Sequence, residues 1–144
     1  MKRNLIAISI ITVITAWSFV IYLQVGKITN GVTKNLCFSV YKDVNYASQV
    51  YDNTTAQVKI VVEKVTKNKR EVVYQQDLAA KELKQYPDAQ TAQKEKISIP
   101  GFNAKKDKLE VKYILTYDSK GSQLSMQYNQ EVSGKDNGAV DIKI

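Results

Sequence analysis

The side chains that carry out most protein chemistry are scarce in this chain. It contains no histidine and one cysteine, Cys37. The commonest general base is therefore missing, and with it the usual catalytic triads and most zinc or iron sites. A single thiol can form neither an intrachain disulfide nor a thiolate cluster. No glycine-rich phosphate loop follows any strand-like run. Residue type alone leaves three routes to catalysis: paired carboxylates, a Ser–Lys dyad, and a hard-cation site of oxygen ligands. Asp107 with Glu110, and Asp118 with Glu131, are the nearest carboxylate candidates. Both pairs stand among lysines and turn residues, where acids are ordinarily solvated and ion-paired. Asp136-Asn137-Gly138 has the composition of a turn before that of a calcium loop. The chain is therefore expected to be non-enzymatic, with no cofactor and no metal.

Binding chemistry is better represented. Nine tyrosines stand against three phenylalanines and one tryptophan, and tyrosine is a residue that interfaces favour. Tyr113, Tyr117 and Tyr128 lie on apolar faces and are assigned to the core or its margin, whereas Tyr41, Tyr46, Tyr51, Tyr74 and Tyr86 have no clear assignment. The last five residues, Val140, Asp141, Ile142, Lys143 and Ile144, alternate as a strand does. A strand at the end of a chain often lies on a sheet edge, where unpaired amides and carbonyls accept a partner strand. Asp141 and Lys143 are its only charged guards, so these five residues are the expected contact site for a protein partner or a second copy.

The element that must position such a domain is residues 5–25, LIAISIITVITAWSFVIYLQV, which hold no charge. A helix rising about 1.5 Å per residue over this length matches a hydrocarbon core of roughly 30 Å. Leu5 and Val25 bound the span, Ile14 lies at its middle, and Trp17 and Tyr22 supply aromatics, Tyr22 near the outer boundary. Lys2 and Arg3 precede it, so residues 1–4 are expected in the cytoplasm and everything after Gly26 outside. The competing reading is a cleaved signal peptide, with Ala16 and Ser18 as the small residues at the cut. It would leave Phe19, Val20, Ile21, Tyr22 and Leu23 as an apolar new terminus. The residues before Cys37 do not form a lipobox.

Beyond the anchor, residues 26–34 (GKITNGVTK) read as a short tether, and residues 35–144 as one exported domain. Period two dominates there. Residues 36–42 and 54–66 read as strands, the latter with Val58, Ile60 and Val62 on one face. KNKR at 67–70 is a turn and 71–75 returns as a partner strand. Residues 77–86 (DLAAKELKQY) are rich in helix formers, with Asp77 as a cap and Pro87 as a stop, and predict one short helix. Residues 88–96 read as a surface crossover, and Pro100-Gly101 as a strand break. Leu109, Val111, Tyr113, Leu115 and Tyr117 share one face of a strand; a Ser119-Lys120-Gly121 turn leads to a return strand with Leu124, Met126 and Tyr128 on one face. Cys37 shares a face with Ser39, and burial is the commoner fate of a free cysteine. The pattern predicts a mainly β chain: a transmembrane helix, then an antiparallel β-sandwich, immunoglobulin-like or similar, with one short helix.

Charge narrows the partners. Setting aside Lys2 and Arg3, the remaining 19 lysines and arginines against 14 acids leave +5 outside the membrane. Arginine occurs only at positions 3 and 70, and nucleic-acid readers favour its bidentate fork, so no nucleic-acid partner is expected. The expected function is a membrane-anchored, non-catalytic binding or structural subunit of an envelope assembly, held to the bilayer by its helix and free to self-associate. The alternative is a cleaved, secreted enzyme or enzyme inhibitor acting on wall or surface polymers.

Overall fold

A computed structural model describes residues 31–132 and 137–144. The anchor expected at 5–25 and most of the tether lie outside them. Among the described residues, no helix is long and apolar enough to cross a membrane.

The described chain is mainly β, with two sheets facing each other across one core. In order the strands are β1 (Val32–Tyr41), β2 (Thr54–Thr66), β3 (Lys69–Asp77), β4 (Lys81–Glu82), β5 (Gln93–Phe102), β6 (Lys108–Ser119), β7 (Ser122–Val132) and β8 (Gly138–Lys143). The smaller sheet has the order β5-β1-β8 and the larger β3-β2-β6-β7, with the two-residue β4 also on β2. Period-two patterning fills the space between them. Leu36, Phe38 and Val40 of β1, Val140 and Ile142 of β8, Ala56, Val58, Ile60 and Val62 of β2, and Leu109, Val111 and Leu115 of β6 belong to one buried cluster. None of these residues exceeds 1% exposure. Strand β2 therefore has the bounds and the inward face that its alternation predicts.

Four expectations need correction. Residues 77–86 are not a helix: Asp77 ends β3, Lys81–Glu82 form β4, and Leu83–Gln85 make a single 3-10 turn. A lone helix this short pays for nucleation with few bonds. The extended path instead buries Leu78, Leu83 and Tyr86 together and lets the Leu78 amide donate to the Val58 carbonyl at 2.8 Å. Pro100-Gly101 does not break its strand. Strand β5 runs through both residues with a bulge, since Val32 faces Phe102 while Lys34 faces Ile99. Gly101 adopts φ +68°, which disfavours a side chain, and a Cβ on Gly31 would lie 2.5 Å from its carbonyl carbon. The domain also begins earlier than expected, because Val32 to Lys34 belong to β1. Lys34 is itself buried, its ammonium 5.7 Å from the centre of the Phe102 ring. Finally, the sheets are not wholly antiparallel. Strands β1 and β8 run parallel, from Leu36 opposite Gly138 to Tyr41 opposite Lys143. The chain crosses from the larger sheet to the smaller between β7 and β8, and such a crossover imposes no hairpin geometry.

Cys37 alternates with buried Leu36 and Phe38 and so lies half-buried on the outer face rather than in the core. The β6–β7 hairpin turns on Lys120 and Gly121, both at positive φ (53° and 84°), the backbone of a tight two-residue hairpin turn.

Leu115 on the inner face of β6 is 1% exposed, whereas Ile114 on the outer face is half-buried. Leu115→Ala should cost about 2–4 kcal/mol through the cavity it leaves, and Ile114→Ala clearly less. Urea unfolding of the two variants checks this; equal losses would mean that the outer face is also covered.

Candidate interaction face

The acids of the two suggested carboxylate pairs take part in turns and ion pairs. Asp107 Oδ2 accepts from the Asn103 amide at 2.8 Å and closes a loop. Asp118 accepts from the Gly121 amide at 3.2 Å and from Gln123 Nε2 at 3.0 Å, holding the hairpin turn. Glu110 and Glu131 are cross-strand neighbours, and Glu110 also faces Glu63, so three glutamates form one row over β2, β6 and β7. Like charges opposite one another repel, and cations bracket the row. Arg70 grips Glu110 through two nitrogens at 2.6 and 3.1 Å and reaches Glu63 at 3.2 Å. Lys112 donates to both Glu63 oxygens at 2.9 Å, and Lys108 lies 3.1 Å from Glu131. The Lys112 hydrogen bond is the main reason that the Glu63 carboxyl is held below its ordinary range. This is a neutralised outer-face ladder, and among the described residues no group of His, Cys, Asp or Glu is arranged to hold a metal.

The five C-terminal residues divide their roles. Val140, Ile142 and Ile144 are buried in the core, while Asp141 and Lys143 face solvent. Strand β8 lies at the edge of the smaller sheet. Lys143 Nζ pairs with Asp43 at 3.2 Å, and the Ile144 amide donates to the Tyr41 carbonyl at 2.8 Å. The apolar half of this strand is thus committed to packing.

The unusual surface lies on β7. Its inward side chains follow the predicted alternation, with Leu124 opposite Tyr117, Met126 opposite Leu115 and Tyr128 opposite Tyr113. Yet Leu124 is 59% and Tyr128 40% exposed, while Leu115 next door is 1% exposed. A sheet of three main strands does not roof a sheet whose main path has four, and the outermost strand extends past the cover. Tyr113 and Tyr128 stack across the strands with centroids 4.9 Å apart and planes 15° apart. The Tyr128 hydroxyl also points to Met126 Sδ at 3.7 Å. Towards the hairpin end, Tyr46 and Tyr51 from the β1–β2 loop meet edge to face at 4.9 Å and pack on the core margin. The Tyr117 hydroxyl feels those of Tyr46, Tyr128 and Tyr86, so these four tyrosines share one region. Burial is the first cause of the rise of Tyr117 to about 12, and the neighbouring phenols add to it. Tyr86 also reaches about 12 through burial, and its hydroxyl donates to the Ala56 carbonyl at 2.8 Å.

The assignment of Tyr113 and Tyr117 to the core margin agrees with their packing, and Tyr86 joins the core outright. Tyr128, by contrast, remains 40% exposed with its ring stacked on Tyr113. Period two shows that Leu124, Met126 and Tyr128 share a face; it carries no information on whether that face is roofed. A separate signal was available in the composition of β7. Its residues 122–130, SQLSMQYNQ, contain no charge in a chain that is 24% charged. The chain matches no family model, no curated protein sequence and no solved structure.

The raised tyrosines give a pH signature. Both hydroxyls titrate near 10 when unfolded and at about 12 when folded. Their contribution is fully present below pH 10 and is lost as the pH rises through the folded values, because the unfolded chain gives up these protons first. Tm should therefore fall between pH 10 and 12, and less steeply in Tyr86→Phe and Tyr117→Phe. Tyr86→Phe should also cost about 1 kcal/mol at neutral pH through the lost hydrogen bond. Identical alkaline slopes in wild type and both variants would contradict the assignment.

Proposed function

We propose that this chain is a membrane-tethered, non-catalytic binding or structural subunit of an envelope assembly, its exported part an immunoglobulin-like or similar sandwich. The observation that carries the reading is the β7 stripe in which exposed Leu124 and Tyr128 flank half-buried Met126, beside the Tyr113–Tyr128 stack. Aromatic and aliphatic side chains that remain in solvent on a rigid sheet are what interface cores are made of. The reading places residues 5–25 in the bilayer and the partner beside β7. The edge of β8, with Asp141 and Lys143, is the second surface on which a partner strand could dock.

A photo-reactive phenylalanine analogue at Leu124, Tyr128, Lys143 or Gln75 of the full chain tests this in native membranes. Discrete adducts from positions 124 and 128, with Gln75 on the β3 edge silent, are expected, and alkaline carbonate should leave the protein in the membrane. Adducts from Lys143 alone would move the interface to β8. Equal labelling at Gln75, or none at 124 and 128, would refute the proposed face.

A further inference from the structure

Among the described residues the edges are β5 and β8 in the smaller sheet and β3, the two-residue β4 and β7 in the larger. Exposed edges invite pairing with other chains, and proteins guard them with charge, proline or short length. Strand β3 carries Lys69, Arg70, Glu71 and Asp77; β5 carries Lys94, Glu95, Lys96 and Pro100; β8 has six residues, including Asp141 and Lys143. Strand β7 is eleven residues long, has no proline, and is uncharged until Glu131. It is the unguarded edge.

Its sequence is also symmetric in polarity. About Met126, Ser125 balances Gln127, Leu124 balances Tyr128, Gln123 balances Asn129, and Ser122 balances Gln130. Run antiparallel against a copy of itself with Met126 opposite Met126, the strand places apolar residues opposite apolar ones on the inner face. On the outer face it places hydroxyls and amides opposite amides. No like charges meet anywhere in this register over residues 122–130. The backbone agrees with the same centre. The two-residue turn pairs Ser119 with Ser122, so even-numbered residues of β7 bond back to β6. Gln123, Ser125, Gln127 and Asn129 then turn their amides and carbonyls to the open side. In the Met126-centred register these odd residues face one another as hydrogen-bonded pairs, Ser125 with Gln127 and Gln123 with Asn129.

Resting on the binding role of this face, we propose that the partner at the β7 edge is a second copy of the same chain. The two larger sheets join into one continuous sheet about a two-fold axis through Met126. The exposed Leu124 and Tyr128 and the half-buried Met126 of both copies then form one apolar band on the inner side. The contact is isologous, so it closes at a dimer and leaves no β7 edge free.

The test uses the full chain in detergent or membranes with Cys37→Ser as background. Met126→Cys should oxidise to a disulfide-linked dimer, since the two positions face each other directly. Leu124→Cys should not, because its copies lie about 13 Å apart along the strands. Mixed Leu124→Cys and Tyr128→Cys chains should cross-link to each other. Separately, Met126→Lys and Met126→Glu should each weaken self-association by on the order of tenfold or more, and mixing them should restore it. No cross-link at Met126, or equal cross-linking at Leu124, overturns the proposed dimer. If the photo-adducts at 124 and 128 then contain a different protein, the binding role stands and only the second copy falls; if those adducts are absent too, both fall.

Discussion

Everything in this domain depends on the packing of one inner row against another. Leu36, Phe38 and Val40 of β1 and Val140 and Ile142 of β8 meet Val58, Ile60 and Val62 of β2 and Val111 and Leu115 of β6. Without histidine, disulfide or metal ligands, the described chain is held by apolar burial and backbone pairing. The two sheets are unequal, however. Three main strands cover β2 and most of β6, and β7 is left paired along one side and open along the other. The same geometry that makes the core also produces the uncovered stripe, which explains why both can arise from a single alternating pattern.

That pattern explains which parts of the molecule were legible. In β2 and β6 the alternation of branched and aromatic residues with polar ones has one reading, and the strands follow it. In residues 77–86 helix propensity competes with three buried anchors, Leu78, Leu83 and Tyr86, and tertiary burial prevails. Pro100-Gly101 carries a breaker's signature, but at a sheet edge a proline and a left-handed glycine make a bulge instead. The parallel pairing of β1 and β8 joins residues about a hundred positions apart, which no local pattern encodes. Exposure of Leu124 and Tyr128 has the same origin, since it is set by how many strands the opposite sheet contains. The expected docking strand at the C-terminus was placed at an edge, yet its side chains Val140, Ile142 and Ile144 serve the core.

Charge placement distinguishes the edges. Charged side chains interrupt β3 and β5, and on the outer face Arg70, Lys108 and Lys112 neutralise the glutamate row. Such a surface favours solubility and discourages stray association. Against it, the uncharged β7 differs in kind. An edge that presents serine, glutamine and asparagine outward and leucine, methionine and tyrosine inward can add a strand with both faces satisfied. Tethering to a membrane would raise the local concentration of copies, so a weak edge contact would suffice there.

The most direct measurement is amide hydrogen exchange of the full chain as a function of its concentration. If β7 pairs with a second copy, protection at Gln123, Ser125, Gln127 and Asn129 rises with concentration, while the open-side amides of the β3 edge exchange at a constant rate. Exchange at those four β7 positions that is fast and independent of concentration would contradict the account.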